Sequence, residues 1–547
     1  MIYLSTLLLS TLLTVALIPM FRWLAIRLNI VDMPDARKVH ATPIPRSGGV
    51  AMALGAFLPI LFQVHADPFL RSLAIATVII VAFGILDDYK GLNFKHKLIV
   101  QTASALIVIL YGGVRITYLG TLLPEGMVLP PWISIPLTLV TMVGVINAIN
   151  LSDGLDGLAG GICLIIFICI GYVGYRSEAM IIAVTAFGMV GCILGFLRFN
   201  TYPATLFMGD AGSQFLGLMA VSLSLELTQG NTALSRFFPL ILLGFPILDT
   251  LAVMAQRIAN GRSPFVADKN HFHHKLMNLG LYHTESVIAI YLLQGTVVVA
   301  AFVFRFHPEW ILLLGYLIFS GLILAGFYGA ERADWRLKRT SLIDTAIKGR
   351  LRFLKDKNLL IVFSFRLLQM ALPTLMFVTC FLTADIPYYL PFFTVGAALI
   401  LLFTLIFFKN HVGMVLRVAL YLMIPFVVYL SSDSRFEWTH MPVEKVYHIS
   451  FGGIALLALL TIKFTRRKTG FQATPMDFLI LFFALVVPNI PDSDIRGYQM
   501  GMIAAKIIVL FFSYDVLIGE LRGNHKWLCL NTIGAFTIFS IKGFWGL

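Results

Sequence analysis

Residues Asn147 to Gly161, NAINLSDGLDGLAGG, interrupt an apolar run with amides at Asn147 and Asn150 and carboxylates at Asp153 and Asp156. Lipid satisfies none of these groups, so the stretch must lie at a membrane face or line a wet cavity. Its glycines permit tight turns and a close approach of backbone to a ligand. Amide and carboxylate oxygens together suit a hard divalent cation such as Mg²⁺.

Four further clusters carry chemistry. Val31–Val50, VDMPDARKVHATPIPRSGGV, sets Arg37, Lys38, His40 and Arg46 among prolines and a Gly48-Gly49 pair. Such cations suit phosphate, and Arg grips it in bidentate fashion. Leu86–Gln101, LDDYKGLNFKHKLIVQ, places the adjacent carboxylates Asp87 and Asp88 just before Lys95, His96 and Lys97. Two neighbouring carboxylates repel, so ionising both calls for a cation or a metal–phosphate partner. Gly91 stands where a third aspartate of a prenyl-diphosphate box would be. Phe207–Gly217, FMGDAGSQFLG, holds Asp210 between glycines. Asp210 is expected either to cap the following helix or to ligate a metal. Pro246–Lys275 holds Asp249 within an apolar run, which demands a partner, and then Asp268, Lys269, His271, His273, His274 and Lys275. The H-x-H-H spacing lacks the i, i+4 pattern of a helical zinc site, so imidazoles and lysines donating to a diphosphate fit better. Asp268 is a candidate to orient one of the rings. No GxxxxGK[ST] loop and no GxGxxG turn is present, so a nucleotide would not be held by a P-loop or Rossmann turn.

The elements that must position these residues are membrane helices. The 547 residues are 59% hydrophobic and 13% charged, with a mean hydropathy of +0.87. That composition describes a polytopic all-α membrane protein and excludes a soluble globule. The excess of 41 Lys+Arg over 28 Asp+Glu fits loops near anionic lipid or phosphate substrates, with no nucleic-acid partner expected. The five cysteines sit in apolar segments without metal or disulfide spacing. The N-terminal apolar run lacks a basic start and a cleavage site and reads as a retained first span. Eleven spans are predicted near 3–21, 48–65, 71–86, 98–114, 132–149, 157–175, 179–197, 211–227, 237–256, 286–304 and 310–329. About seven more follow at 359–383, 390–408, 412–430, 448–464, 474–489, 499–518 and 527–545. The predicted organisation is a membrane domain over 1–330, a charged cytoplasmic linker over 331–358 and a second helical membrane domain over 359–547. With the N-terminus outside, the inside loops collect most of the Lys and Arg. Every polar cluster of the first half then falls on the cytoplasmic face. A transporter or lipid flippase is the alternative, but it would place ionisable groups at mid-membrane and on both sides.

The motifs RKVHATPIPRSGG, DDYKGLNFKHK, NAINLSDGLDGLAGG, FMGDAGSQFLG and ADKNHFHHKL resemble, in order, those of the polyprenyl-phosphate hexosamine-1-phosphate transferases. The resemblance covers roughly residues 1–330, and PRSGG with HFHHKL is similar to the GlcNAc-1-phosphate branch. It implies transfer of a hexosamine-1-phosphate from a UDP-N-acetylhexosamine to undecaprenyl phosphate, releasing UMP, with Mg²⁺ or Mn²⁺, at a bacterial inner membrane as the first membrane step of envelope polysaccharide synthesis. By similarity, Asn150 and Asp210 ligate the metal. Lys97, His271, His273 and His274 hold diphosphate, Asp156 contacts uridine, and Asp87 and Asp88 stand near the attacking lipid phosphate. Asp153 joins the catalytic group, with Asn147, Arg37, Lys38, His40, Arg46 and Asp268 on the substrate. A homodimer and contacts with downstream glycosyltransferases are further expectations. No motif of the family covers 359–547.

Overall fold

The computed structural model describes residues 2–33, 43–124, 126–230, 232–263, 270–336, 359–383, 386–433, 442–464, 500–521 and 524–545. The protein is a polytopic all-α membrane protein. Eleven of its described helices are long and apolar enough to cross a membrane. The described residues divide into two compact units, one up to 336 and one from 359 onward.

The first unit runs α1 (Ile2–Arg27), β1 (Val31–Asp32), β2 (Ile44–Pro45), α2 (Gly48–Gln63), α3 (Pro68–Lys90), α4 (Phe94–Leu110), α5 (Pro131–Leu151), α6 (Leu158–Arg176), α7 (Met180–Asn200), α8 (Gly209–Gln229), α9 (Phe238–Leu242), α10 (Gly244–Ala259), α11 (Phe272–Asn278), α12 (His283–Val303) and α13 (Glu309–Arg332). These helices match the expected spans, with one correction: the span predicted over 237–256 is two helices. The chain leaves α9 at Leu243, and Pro246 has no N–H to give Leu242 O, so distant side chains supply donors here. Gln294 Nε2 donates to Leu242 O at 2.8 Å and Tyr316 Oη to Gly244 O at 2.9 Å. A broken helix survives in an apolar bundle only when such donors are supplied.

Helix α8 is the centre of the unit, packed by α2, α3, α5 and α6. Small residues make this possible. A Cβ on Gly49 would overlap the Gly212 backbone, and one on Gly84 would overlap that of Ala211. Close backbone approach through small residues is the usual way to join membrane helices, since lipid is as apolar as leucine.

Local signals fix where the site-bearing ends lie. Asp67 caps α3, accepting from Leu70 N–H at 2.7 Å, and Pro68 opens the helix. Gly91 closes it in the left-handed conformation, its N–H donating to Asp87 O at 2.7 Å. Asp87 and Asp88 therefore occupy the last turn of α3. The ends of α3, α5 and α7 and the starts of α4, α6 and α8 come together at one end of the bundle.

The second unit contains α14 (Leu359–Leu382), α15 (Tyr389–Phe407), α16 (Val412–Asp433), α17 (Pro442–Phe464), α18 (Met500–Glu520) and α19 (Lys526–Trp545). Its apolar core includes Leu372, Met423, Leu510 and Phe536. Within it Asp515 accepts from Tyr421 Oη at 2.5 Å and pairs with Arg417 at 2.9 Å. The span predicted at 474–489 lies outside the described residues.

Candidate active site

Asp210 lies in the first turn of α8, whose start depends on Gly209 at φ +67. A Cβ on Gly209 would strike Asp88 Oδ2, so this glycine also lets α3 approach. Asp210 does not cap its helix through its side chain. Its carboxylate instead turns toward other elements. Oδ2 is 2.5 Å from Lys97 Nζ, and Oδ1 accepts from Asn150 Nδ2 at 3.0 Å. The same lysine lies 2.5 Å from Asp87 Oδ2. One ammonium at the start of α4 thus bridges the last turn of α3 and the first turn of α8. Shared positive charge is what lets the buried Asp87 and the partly exposed Asp210 stand side by side.

The two members of the Asp87-Asp88 pair have different work. Asp87 Oδ1 accepts from Leu92 N–H at 2.7 Å, which fixes the α3–α4 turn. Asp88 Oδ1 accepts the Asp210 N–H at 3.3 Å and faces Arg46 at 3.4 Å. Its other oxygen, Oδ2, is buried without a hydrogen-bond partner. Arg46 also pairs with the buried Asp32. Burial works against the Arg46 charge, but Asp32 and Asp88 outweigh it and hold the guanidinium more firmly protonated than usual.

Two backbone seams join the motifs. Phe207 N–H donates to Pro45 O at 2.9 Å, and Gly48 and Gly49 N–H donate to Phe207 O and Met208 O at 2.9 and 3.0 Å. The Pro-Arg-Ser-Gly-Gly segment is thereby stitched onto the strand of chain that delivers Asp210. Asn147 and Asn150 sit one turn apart on α5. Asn150 Nδ2 reaches both Asp210 and Ser213 Oγ, the latter at 2.7 Å. Asn147 exchanges two amide hydrogen bonds with Gln101, at 2.7 and 3.3 Å, and Gln101 also donates to Gln214 at 3.2 Å. This amide ladder underlies the carboxylates. Gln101, Gln214 and Ser213 were not singled out by the sequence, although an amide inside an apolar run is itself a sign of interhelical bonding.

Asp153 and Asp156 lie in the turn between α5 and α6. Asp156 Oδ2 accepts from Ala204 N–H at 2.9 Å and holds the loop after α7. Gly157 takes φ +80 there, its N–H bonded to Asn200 Oδ1 at 3.0 Å and its carbonyl to Tyr291 Oη at 2.6 Å. Nothing in the sequence pattern pointed to Tyr291. Burial pushes Asp153 up to about 7, with the charges of Asp210, Asp88 and Asp156 adding to it.

The histidines reach the same turn from α11. His273 lies against Gly154, where a Cβ would overlap its ring. The His273 ring stacks on His271 at 5.9 Å and 5° and is 4.2 Å from His274. Burial, followed by the neighbouring His274, His271 and His283 rings, pushes His273 down to about 3, so it is neutral at pH 7. The partner of Asp249 is His271, whose Nδ1 is 3.0 Å from Asp249 Oδ2. Asp249 is therefore a carboxylate that holds one of the rings. Asp268 lies outside the described residues, as do Arg37, Lys38 and His40.

For a divalent cation the donor set is hard and oxygen-rich. Asp210 and the orphaned Asp88 Oδ2 lie at one α3–α8 contact, and the Asn150 amide sits against Asp210. No group of three or more His, Cys, Asp or Glu among the described residues forms a closed metal cage. Carboxylates and an amide are donors of the kind Mg²⁺ takes, through one or two carboxylates plus substrate phosphates.

Residues 70–228 match glycosyl transferase family 4. A probable undecaprenyl-phosphate N-acetylglucosaminyl 1-phosphate transferase of Bacillus subtilis (strain 168) is 36% identical over 304 residues, 55% of this chain and 85% of that protein. The undecaprenyl-phosphate alpha-N-acetylglucosaminyl 1-phosphate transferases of Yersinia pestis and Salmonella typhi are 31% and 32% identical, over 58% and 61% of this chain and 88% and 93% of theirs. With most of each relative's length covered and its carboxylates, amides and histidines gathered at one end of the bundle, the chain belongs to glycosyl transferase family 4, as a polyprenyl-phosphate N-acetylhexosamine-1-phosphate transferase type of membrane protein.

Proposed function

We propose that the protein transfers a hexosamine-1-phosphate, GlcNAc-1-phosphate in the first instance, from a UDP-sugar to undecaprenyl phosphate with release of UMP. The observation that carries this reading is the meeting of Lys97, Asp87, Asp210 and Asn150 beside the Gly154–His273 contact. Cations and imidazoles for phosphates stand next to oxygens for a metal, and the relatives named above share that activity in name. With the N-terminus outside, the site faces the cytoplasm of a bacterial inner membrane, where it would supply the first lipid-linked sugar of an envelope polysaccharide.

A phosphate oxygen of the lipid attacks the β-phosphorus of the UDP-sugar in line. The new P–O bond forms as the bond from the β-phosphorus to the bridging oxygen breaks, and UMP leaves with that oxygen. A phosphate monoester is largely ionised at pH 7, its second pKa being about 6, so no strong base is required. Asp87 orients or finishes deprotonating the incoming phosphate. Lys97 and Arg46 neutralise charge spreading over the phosphoryl oxygens, so positioning and electrostatics carry the rate. Asp210 and Asn150, with Asp88 Oδ2 alongside, would hold Mg²⁺ or Mn²⁺, which supplies electrostatic stabilisation of the diphosphate. Asp156 and the loop it fixes form the wall for uridine, and His273 and His274 meet the diphosphate.

The test uses full-length protein in detergent with undecaprenyl phosphate, Mg²⁺ and a panel of UDP-sugars. UMP release with UDP-GlcNAc is expected, lost on chelation and reduced by about 10²–10³ in Asp210→Asn. Folded protein that releases no UMP from any UDP-sugar would overturn the reading in favour of a transporter or flippase.

A further inference from the structure

Asp249 is a carboxylate inside a helix of a membrane bundle, 3% exposed. A charge in that position is costly unless it is used. Both of its oxygens are committed to one short stretch of chain: Oδ2 is 3.0 Å from His271 Nδ1, and Oδ1 accepts Phe272 N–H at 2.9 Å. Two contacts to consecutive residues fix the ring and the backbone that carries it. A carboxylate at Nδ1 requires the proton on that nitrogen, which selects the tautomer and the ring plane.

His271 and His273 are both buried, at 6% and 4% exposed, so the ring that Asp249 holds lies inside the protein beneath the site. The His271 ring lies parallel to that of His273, which rests on Gly154 in the carboxylate-bearing turn. The order Asp249, His271, His273, Gly154 is an unbroken run of contacts from the interior of α10 to the turn that carries Asp153 and Asp156.

We propose that Asp249 is a positioning residue of the transferase site, setting the His271 ring and through it the placing of His273 over the Gly154 turn. The inference rests on the proposed transferase activity. It makes Asp249 and His271 the support on which the His273 ring is set against Gly154.

The experiment measures UMP release and histidine ¹⁵N chemical shifts in full-length wild type, Asp249→Asn, Asp249→Glu, His271→Gln and the Asp249→Asn/His271→Gln double variant. An asparagine fills the same space and still accepts Phe272 N–H, but presents an NH₂ to His271 Nδ1. Asp249→Asn is expected to lose about tenfold to a hundredfold in kcat/KM, chiefly through KM for the UDP-sugar, with the His271 tautomer reversed. Asp249→Glu restores part of the loss, and the double variant is no worse than the poorer single one. Unchanged tautomer in Asp249→Asn, or losses that multiply in the double variant, would overturn the proposal. If wild type releases no UMP, the transferase reading fails, while the tautomer measurement still decides whether Asp249 governs His271.

Discussion

At the scale of single residues, the site is a problem in accommodating negative charge. Asp87, Asp88, Asp153 and Asp210 occupy a small region at the end of a low-dielectric bundle, with Lys97 and Arg46 as the described cations in contact with three of them. Asp153 has neither. Its ordinary carboxylate value of 3.8 rises to about 7. The folded protein therefore holds a proton there that the unfolded chain has released, and stability falls as pH climbs between about 4 and 7. Asp153→Asn is thus expected to raise the melting temperature of the substrate-free protein at pH 8 and to leave it unchanged below pH 4. A gain of the order of 1 kcal/mol corresponds to about 2–4 °C. Thermal melts of both proteins across pH 4–8 check it, and a constant difference at all pH values would assign the effect to packing. The residue types of the site were readable from the sequence because polar groups have few reasons to interrupt an apolar run. Their pairings were not: Lys97 and Asp210 are separated by 113 positions, and only the packing of α3 and α4 against α8 shows that they share a charge.

At the scale of elements, the spans were legible because apolar runs of this length have one use in a chain of this composition. The break at Leu243 was not, because the donors that make it tolerable, Gln294 and Tyr316, belong to α12 and α13. Gly49 and Gly84 were visible as residue types, but their purpose is the near approach of α2 and α3 to α8. Gly84 lies one turn before Asp88, and its neighbour Ala211 follows Asp210. Gly84→Ala is therefore expected to separate the two carboxylate-bearing ends. Overpacking of this kind costs about 1–3 kcal/mol, and UMP release should drop by tenfold or more. Melting temperature and activity measured together test this, and a variant melting like wild type with full turnover would show that α3 and α8 can slide apart freely.

At the scale of the whole molecule, the first unit holds every described residue assigned here to the transfer reaction. The second unit has its own core and its own half-buried ion pair, Arg417–Asp515, tied to Tyr421. A chain ending after Arg332 is expected to retain UMP release within about threefold, measured against full-length protein at equal folded concentration. Complete loss of activity in a folded truncated protein would make the second unit part of the catalytic machinery.

The lysine that spans Asp87 and Asp210 has a consequence for the life of the protein in the cell. Zinc fingers and other metal-built folds wait for their ion before they hold together. Here a cation is encoded in the chain, and Lys97 offsets part of the charge of Asp87 and Asp210 when the helices meet. On the proposed metal-dependent reading, the bundle would assemble first and take up a divalent ion, with the nucleotide sugar, on demand. Magnesium scarcity would leave such a protein idle in the membrane and intact, with turnover returning on addition of the ion alone.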